Sequence, residues 1–246
     1  MFAFLIAAAL SIPTPAVEKA FDGRKGAVVI VNAATGEAYR HGDTAEKLPP
    51  CSTFKIWNTV FGLETGIIKS ADAPFWKWDG QKRFLEDWNK DQTLRSAFTA
   101  SCVPAYQELA RQIGKERMNG WIKKIGYGDE NTSSGLDVFW LPKKGRTPLL
   151  ISPDEQVALI VRLVKGELPL SAQTKAVLKD VMKARETGKG TLYGKTGTGD
   201  GLGWYVGYLE SQGETYAFAA ELQSDKVMGK DVRAMIEQIF AAQGWL

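Results

Sequence analysis

The 246-residue chain has only two cysteines, Cys51 and Cys102, and one histidine, His41. With no C-x-x-C pair and a single imidazole, there is no basis for a zinc site built from Cys and His. Lysines and arginines are interleaved with acids and the formal net charge is +3. A protein that tracks a nucleic-acid backbone needs a clustered basic stripe instead, so no nucleic-acid partner is expected. A bilayer-spanning helix takes about 20 apolar residues, and no run here is that long, which argues against an integral membrane anchor. A nucleotide loop is also missing. Gly194-Lys195-Thr196 ends like G-x-x-x-x-G-K-T, but the first glycine's place is Lys189, and a strand rather than a helix follows. No internal repeat is present.

What remains is ordinary for a soluble globular protein. Hydrophobic residues make up 44% and charged residues 24%, enough for a sizeable core. The N-terminus stands apart: Phe2 to Leu10 is apolar and uncharged, followed by prolines and Thr14-Pro15-Ala16. This reads as the core and cleavage region of a secretory signal covering residues 1–16, with the mature chain starting near Ala16 or Val17. A buried N-terminal helix is the alternative. Export implies a periplasmic or secreted protein and an oxidising compartment.

Residues 17–246 read as one catalytic domain with two interleaved lobes. Gly26 to Asn32 is β-rich, Ala34-Thr35-Gly36 turns, and Glu37 to Arg40 alternates as a second strand would. From Ser52 to about Lys183 the apolar spacing is helical. Ser152-Pro153-Asp154-Glu155 is a good helix start, with serine as cap and proline first. Asp129 to Leu150 is a long Gly/Ser/Thr-rich connection of the kind that is usually functional or disordered. After Gly190 strand character returns in three runs joined by short glycine turns, and Val232, Met235, Ile236, Ile239 and Phe240 define a final amphipathic helix. The expected fold is α/β (α+β). It is an antiparallel sheet flanked by N- and C-terminal helices, with a large helical lobe inserted between the first hairpin and the C-terminal strands. The α/β lobe is expected over about 17–50 plus 185–246, and the helical lobe over about 51–184.

The chemistry gathers around Pro50-Cys51-Ser52-Thr53-Phe54-Lys55. Three residues apart on a helix, the Ser52 hydroxyl and the Lys55 amine share a face, and a serine needs such an adjacent base before it attacks a carbonyl. Ser101-Cys102-Val103 opens a later helix, and Lys195-Thr196-Gly197 lies on a strand. These three motifs, in this order, make the chain resemble the penicillin-recognising serine enzymes, marked by S-x-x-K, a serine-led triplet and K-T-G.

The finer likeness is to class D (oxacillinase-type) β-lactamases. It is carried by Pro50 to Ile56, Leu63-Glu64-Thr65-Gly66-Ile67-Ile68, Trp88 to Leu94, Phe139-Trp140-Leu141, Tyr193 to Gly197 and Gly203 to Gly207. It covers nearly the whole chain after the leader. The second motif is not S-D-N, and no E-x-x-L-N segment supplies a class A-type glutamate. Two departures are visible. The family's Y-G-N is Tyr127-Gly128-Asp129 here, and its S-A-V is Ser101-Cys102-Val103.

The resemblance implies hydrolysis of small-molecule β-lactams through an acyl-ester on Ser52. Ser101 would relay a proton towards the leaving nitrogen, with Lys195 polarising it. Backbone N–H groups of Ser52 and Thr198 would form the oxyanion hole. Thr196, Gly197, Thr198 and Arg233 would bind substrate, the guanidinium gripping its carboxylate in a forked contact. A free lysine has a pKa of about 10.4, so holding Lys55 neutral at pH 7 costs about 4–5 kcal/mol. Apolar walls supply this, and Phe54, Val103 and Trp140 are the candidates. The resemblance implies that Lys55 then takes up carbon dioxide (from bicarbonate) as a carbamate hydrogen-bonded by Trp140; no metal and no other cofactor is implied. Cys51 and Cys102 each adjoin a catalytic serine and are expected to form a disulfide. Two other readings stay open: a β-lactam sensor domain that acylates without turnover, and a D,D-peptidase. Trp76, Trp78 and Trp88 are read as packing of the helical lobe rather than a carbohydrate platform. Oligomeric state has no signature.

Overall fold

A computed structural model of the chain describes residues 9–246. In chain order its elements begin with α1 (Thr14–Phe21), β1 (Lys25–Asn32) and β2 (Ala38–His41). A 3-10 turn, Cys51–Phe54, runs into α2 (Lys55–Glu64). Then come β3 (Pro74–Trp76), a second 3-10 turn (Glu86–Trp88), β4 (Gln92–Thr93), α3 (Leu94–Thr99), α4 (Val103–Ile113) and α5 (Lys115–Ile125). The chain finishes with α6 (Pro153–Val164), α7 (Ala172–Met182), β5 (Lys183–Glu186), β6 (Gly190–Gly199), β7 (Leu202–Ser211), β8 (Glu214–Gln223) and α8 (Gly229–Ala242). These elements group into two compact units, one of Met1–Lys47, Ser152–Glu167 and Ala184–Leu246, the other of Leu48–Ile151 and Leu168–Lys183.

The first unit is built on a six-stranded antiparallel sheet in the order β2-β1-β8-β7-β6-β5. β1 pairs along the length of β8, from Lys25 opposite Gln223 to Asn32 opposite Tyr216, so the first and last strands of the chain are neighbours. The β1–β2 turn is closed by Asn32, whose Oδ1 accepts the N–H groups of Ala34 and Thr35. Side chains alternate across a strand, and here one face collects Val28, Ile30, Tyr205, Phe218 and Leu222. Against that face lie Val232, Ile236, Ile239 and Phe240 of α8 and Val17 and Phe21 of α1, a single apolar cluster. α6 packs against β1, β7 and β8. Ser152 caps α6 as expected, accepting from Glu155 N while Glu155 accepts from Ser152 N.

Two features depart from the sequence reading. α6 was expected in the helical lobe but groups with the sheet. β5 was not expected, because Lys183-Ala184-Arg185-Glu186 carries no apolar alternation. As an edge strand its exposed, charged side chains are what such a position favours.

The sheet also buries a carboxyl. Glu221 on β8 is 1% exposed, and its pKa is raised from 4.5 to about 7, first by burial, with Glu46 adding and Gln223 and Lys25 opposing. A carboxyl whose folded pKa exceeds its unfolded value loses stability as pH rises from the unfolded pKa through the folded one. Glu221→Gln is therefore expected to leave thermal stability nearly unchanged at pH 4. At pH 8 it should raise stability by up to about 3 kcal/mol, read as several degrees in Tm.

The second unit is helical around α2, whose residues Lys55 to Gly62 are all buried. Its only sheet among the described residues is the short β3–β4 pair. Phe54 is the aromatic hub. Its ring contacts Phe61, Tyr127 and Phe139 edge-on and stacks on Trp140 at 5.4 Å. The long connection after α5 is clasped at its ends: Asp129 N donates to Leu150 O and Leu150 N donates to Asp129 Oδ1. Asn131 N donates to the same oxygen, so this side chain serves as an acceptor. Gly128 must be glycine, since its φ is +58° and a Cβ would stand 2.2 Å from Leu150 O.

Residues 1–8, and with them most of the expected signal core, lie outside the described residues. The expected start of the mature chain at Ala16 or Val17 falls inside α1, which buries Val17, Ala20 and Phe21. No helix among the described residues is long and apolar enough to cross a membrane.

Candidate active site

Pro50 ends the preceding segment, and the chain enters the second unit's central helix through a tight 3-10 turn that holds Ser52. Thr53 ties this turn down, donating from both N and Oγ1 to Pro50 O. The turn brings Lys55 Nζ to 2.7 Å from Ser52 Oγ, as the S-x-x-K spacing predicts. Ser52 is 9% exposed and Lys55 is 0% exposed. Burial of this kind disfavours an ammonium relative to the neutral amine, the form that can accept the serine proton. A further group comes from α4, where the Tyr106 ring stands 5.4 Å from Lys55 Nζ. Tyr106 is itself fixed by Thr59 Oγ1 at 2.8 Å and by Asn58 Nδ2 on its carbonyl. Nothing in the S-x-x-K, serine-led or K-T-G motifs points to Tyr106.

Of the expected walls, Phe54 and Trp140 are fully buried and stacked on each other. Val103 opens α4 and is only half-buried. Trp140 Nε1 is buried and donates to no acceptor among the described residues. A lone indole donor in a core asks for an acceptor.

Ser101 precedes α4 with φ +51°, and Cys51, just before Ser52, has φ +52°. Neither is glycine, and such backbone costs on the order of 1–3 kcal/mol and collects at functional sites. The expected disulfide is not formed: Cys51 and Cys102 are both free, buried thiols. The Cys51 thiol is directed at Pro49 O, 3.5 Å away. The serines' shared task constrains the backbones but not where the neighbouring Cβ vectors aim, and a bridge needs both. Burial pushes the Cys51 thiol up to about 12 and raises that of Cys102, so each behaves as a small apolar side chain.

The K-T-G motif belongs to the first unit, on β6. Lys195 is 4% exposed, donates to Thr196 O at 3.1 Å, and is lowered by burial to about 7. Thr196 is half-buried, Gly197 is buried and Thr198 is exposed near the strand's end. Beyond it a two-residue turn, Asp200-Gly201, leads into β7. The start of α8 is pinned to this stretch. Gly229 N donates to Thr198 Oγ1 at 2.9 Å, and a Cβ on Gly229 would lie 2.5 Å from Gly197 O. Arg233 is already engaged: Nε donates to Glu237 at 2.7 Å and Nη2 to Ala184 O at 2.9 Å. Glu237 also binds Arg185.

The chain is similar to known proteins. The penicillin-binding-protein transpeptidase domain model matches residues 24–242. Beta-lactamase OXA-10 of Pseudomonas aeruginosa is 37% identical over 183 residues, 72% of this chain and 67% of that one. The crystal structure of a class D β-lactamase from Bacillus subtilis superposes with a TM-score of 0.89 at 33% identity, over 96% of this chain and 99% of the other. The regulatory protein BlaR1 of Bacillus licheniformis is 34% identical over 193 residues, 76% of this chain but 31% of that protein. With a serine and a buried lysine in hydrogen-bond contact, a K-T-G strand and this fold, the chain belongs to the class D serine β-lactamases of the penicillin-binding transpeptidase superfamily.

Proposed function

We propose that this chain hydrolyses the β-lactam amide of penicillin-type antibiotics through an acyl-ester on Ser52, giving a bacterium resistance to them from an exported position. The observation that carries this is the 2.7 Å contact between Ser52 Oγ and the fully buried Lys55 amine. The base at position 55 takes the Ser52 proton as Oγ attacks the lactam carbonyl, and the carbonyl oxygen gains charge. The N–H groups of Ser52 and Thr198 are assigned to that oxygen. Ser101 passes a proton to the departing nitrogen, and Lys195 polarises the transfer. Thr196 and Gly197 line the strand that binds the substrate's carboxylate side. Water then attacks the ester with a base at position 55.

The residues around Lys55 fit a carbamate there, because the buried Trp140 Nε1 has no acceptor of its own. Bound at Lys55 through carbon dioxide, that group would supply a carboxylate base for the water. Val103, Phe54 and Trp140 keep the surroundings apolar. Steady-state hydrolysis of benzylpenicillin in degassed, mildly acid buffer, with and without added bicarbonate, tests this reading. Activity that rises with bicarbonate, with a carbamate signal from labelled carbon dioxide by NMR, is expected. Bicarbonate-independent turnover without that signal would assign the base role to the unmodified amine.

The likeness to BlaR1 keeps a second reading in view, a sensor-type domain that is acylated once and does not turn over. A D,D-peptidase is the third. Many substrate molecules opened per serine separates the first reading from both.

A further inference from the structure

We propose that Glu237 is a positioning residue for the substrate's carboxylate: it fixes Arg233 so that the guanidinium's Nη1 end is left for the ligand. The inference rests on the β-lactam reading above, with Arg233 as the cation that meets the carboxylate, and names the residue that orients it. Gly229, Arg233 and Glu237 follow one another at four-residue steps, so they share a face of α8. That face lies on the K-T-G strand, because a Cβ on Gly229 would meet Gly197 O at 2.5 Å and Thr196 Cβ at 2.8 Å. One turn on, Arg233 is bonded to Ala184 O of β5. On the other side of β6, the charges of Arg233 and Glu237 reach the buried Tyr205 hydroxyl of β7. Tyr205 pairs in register with Thr196, and its ring lies against Gly194. The Arg233–Glu237 pair therefore sits over β6, between its two neighbouring strands.

A guanidinium carries five N–H donors. Arg233 gives its Nε–H to Glu237 Oε1 at 2.7 Å and one Nη2–H to Ala184 O at 2.9 Å. Both donors on Nη1 and one on Nη2 remain, enough for a fork on a carboxylate. The other Glu237 oxygen accepts from Arg185 Nη1 at 2.6 Å, so the carboxylate cannot swing away from Arg233 without leaving a second cation. The edge strand β5, which has no apolar pattern of its own, thus supplies both Ala184 O and Arg185 to the arrangement. An exposed ion pair adds little to stability, and Arg185 is half exposed. What the pair supplies here is geometry: a long side chain held in place beforehand loses less freedom when its ligand arrives. Glu237 also weakens the positive field of Arg233. Positioning and charge thus act in opposite directions on an anion, and the sign of the effect separates them.

The test is a double-mutant cycle of Glu237→Leu and Arg233→Ala, with KM and kcat for benzylpenicillin and Tm measured for each protein. Glu237→Leu is expected to raise KM roughly three- to tenfold, the range for immobilising one long side chain on binding, with little change in kcat. In the Arg233→Ala background the same substitution should leave KM where it was, whereas a merely structural role would act there too. Glu237→Gln keeps an acceptor for Arg233 Nε and should stay closer to the parent. Arg185→Ala frees only the second oxygen and should raise KM by a smaller factor, which keeps the question open to measurement if Glu237→Leu does not fold. A KM lowered by both Glu237→Leu and Glu237→Gln would overturn the proposal, since Glu237 would then act only by damping charge. So would an equal rise in the Arg233→Ala background, or an unchanged KM in Glu237→Leu (in Arg185→Ala, should the former not fold). A parent that leaves benzylpenicillin intact sinks the β-lactam reading itself, whereas an active parent with an indifferent Glu237→Leu sinks only this assignment.

Discussion

Ser52→Ala is expected to abolish β-lactam opening, with a loss on the order of 10⁶ in kcat by analogy with other serine hydrolases stripped of their nucleophile. Ser52 is held in a 3-10 turn by Thr53 and Pro50, and its hydroxyl contributes one contact, to Lys55. Its removal therefore costs chemistry and little structure. Tm is expected to stay within a degree or two, or to rise, since the unusual backbone at Cys51 is untouched. No covalent adduct should form with any penicillin. Residual opening close to that of the parent would place the nucleophile elsewhere.

Lys55→Met removes the amine while keeping an unbranched stem in a site that is 0% exposed. Loss of a general base typically costs about 10²–10⁴ per proton-transfer step, and both acylation and deacylation use this position. If water attack depends on it more than serine attack does, the variant should accumulate the Ser52 ester where the parent does not. The variant is expected to be indifferent to bicarbonate. Its stability should rise, because a buried amine is exchanged for an apolar side chain of similar length. A variant of unchanged activity would leave Lys55 as a structural neighbour only.

The nucleophile and its base could be read from spacing, since three residues on any helical turn bring Ser52 to Lys55. The order of hairpin, helices, strands and final helix followed from periodicity and glycine turns, and the sheet carries it out. Other features follow from tertiary context. The polar strand Lys183–Glu186 has no pattern of its own and exists because β6 offers it an edge. The positive φ values of Cys51 and Ser101 have no signal in residue type, because neither is glycine. The expected disulfide is absent, because adjacency to two serines sets neither the Cα separation nor the aim of the Cβ vectors that a bridge needs. Two signals were present but unread. Arg233 and Glu237 are four apart on a helix, the spacing of an ion pair, so the contact that positions the guanidinium was readable from spacing. Ala217, Ala219 and Glu221 alternate along β8, so a carboxyl in that series had to be buried with them.

The most direct test of the account is intact-mass spectrometry of the parent protein mixed with a limited excess of benzylpenicillin and followed in time. The account predicts an adduct of the penicillin's full mass on Ser52 that appears first and then vanishes as the substrate is exhausted. The ring-opened acid should be released in stoichiometric amount to the penicillin added, many molecules for each serine. An adduct that stays on Ser52 after a single equivalent is consumed would contradict it and mark the chain as a sensor. A protein that never gains mass, with the penicillin intact, would contradict the serine chemistry altogether.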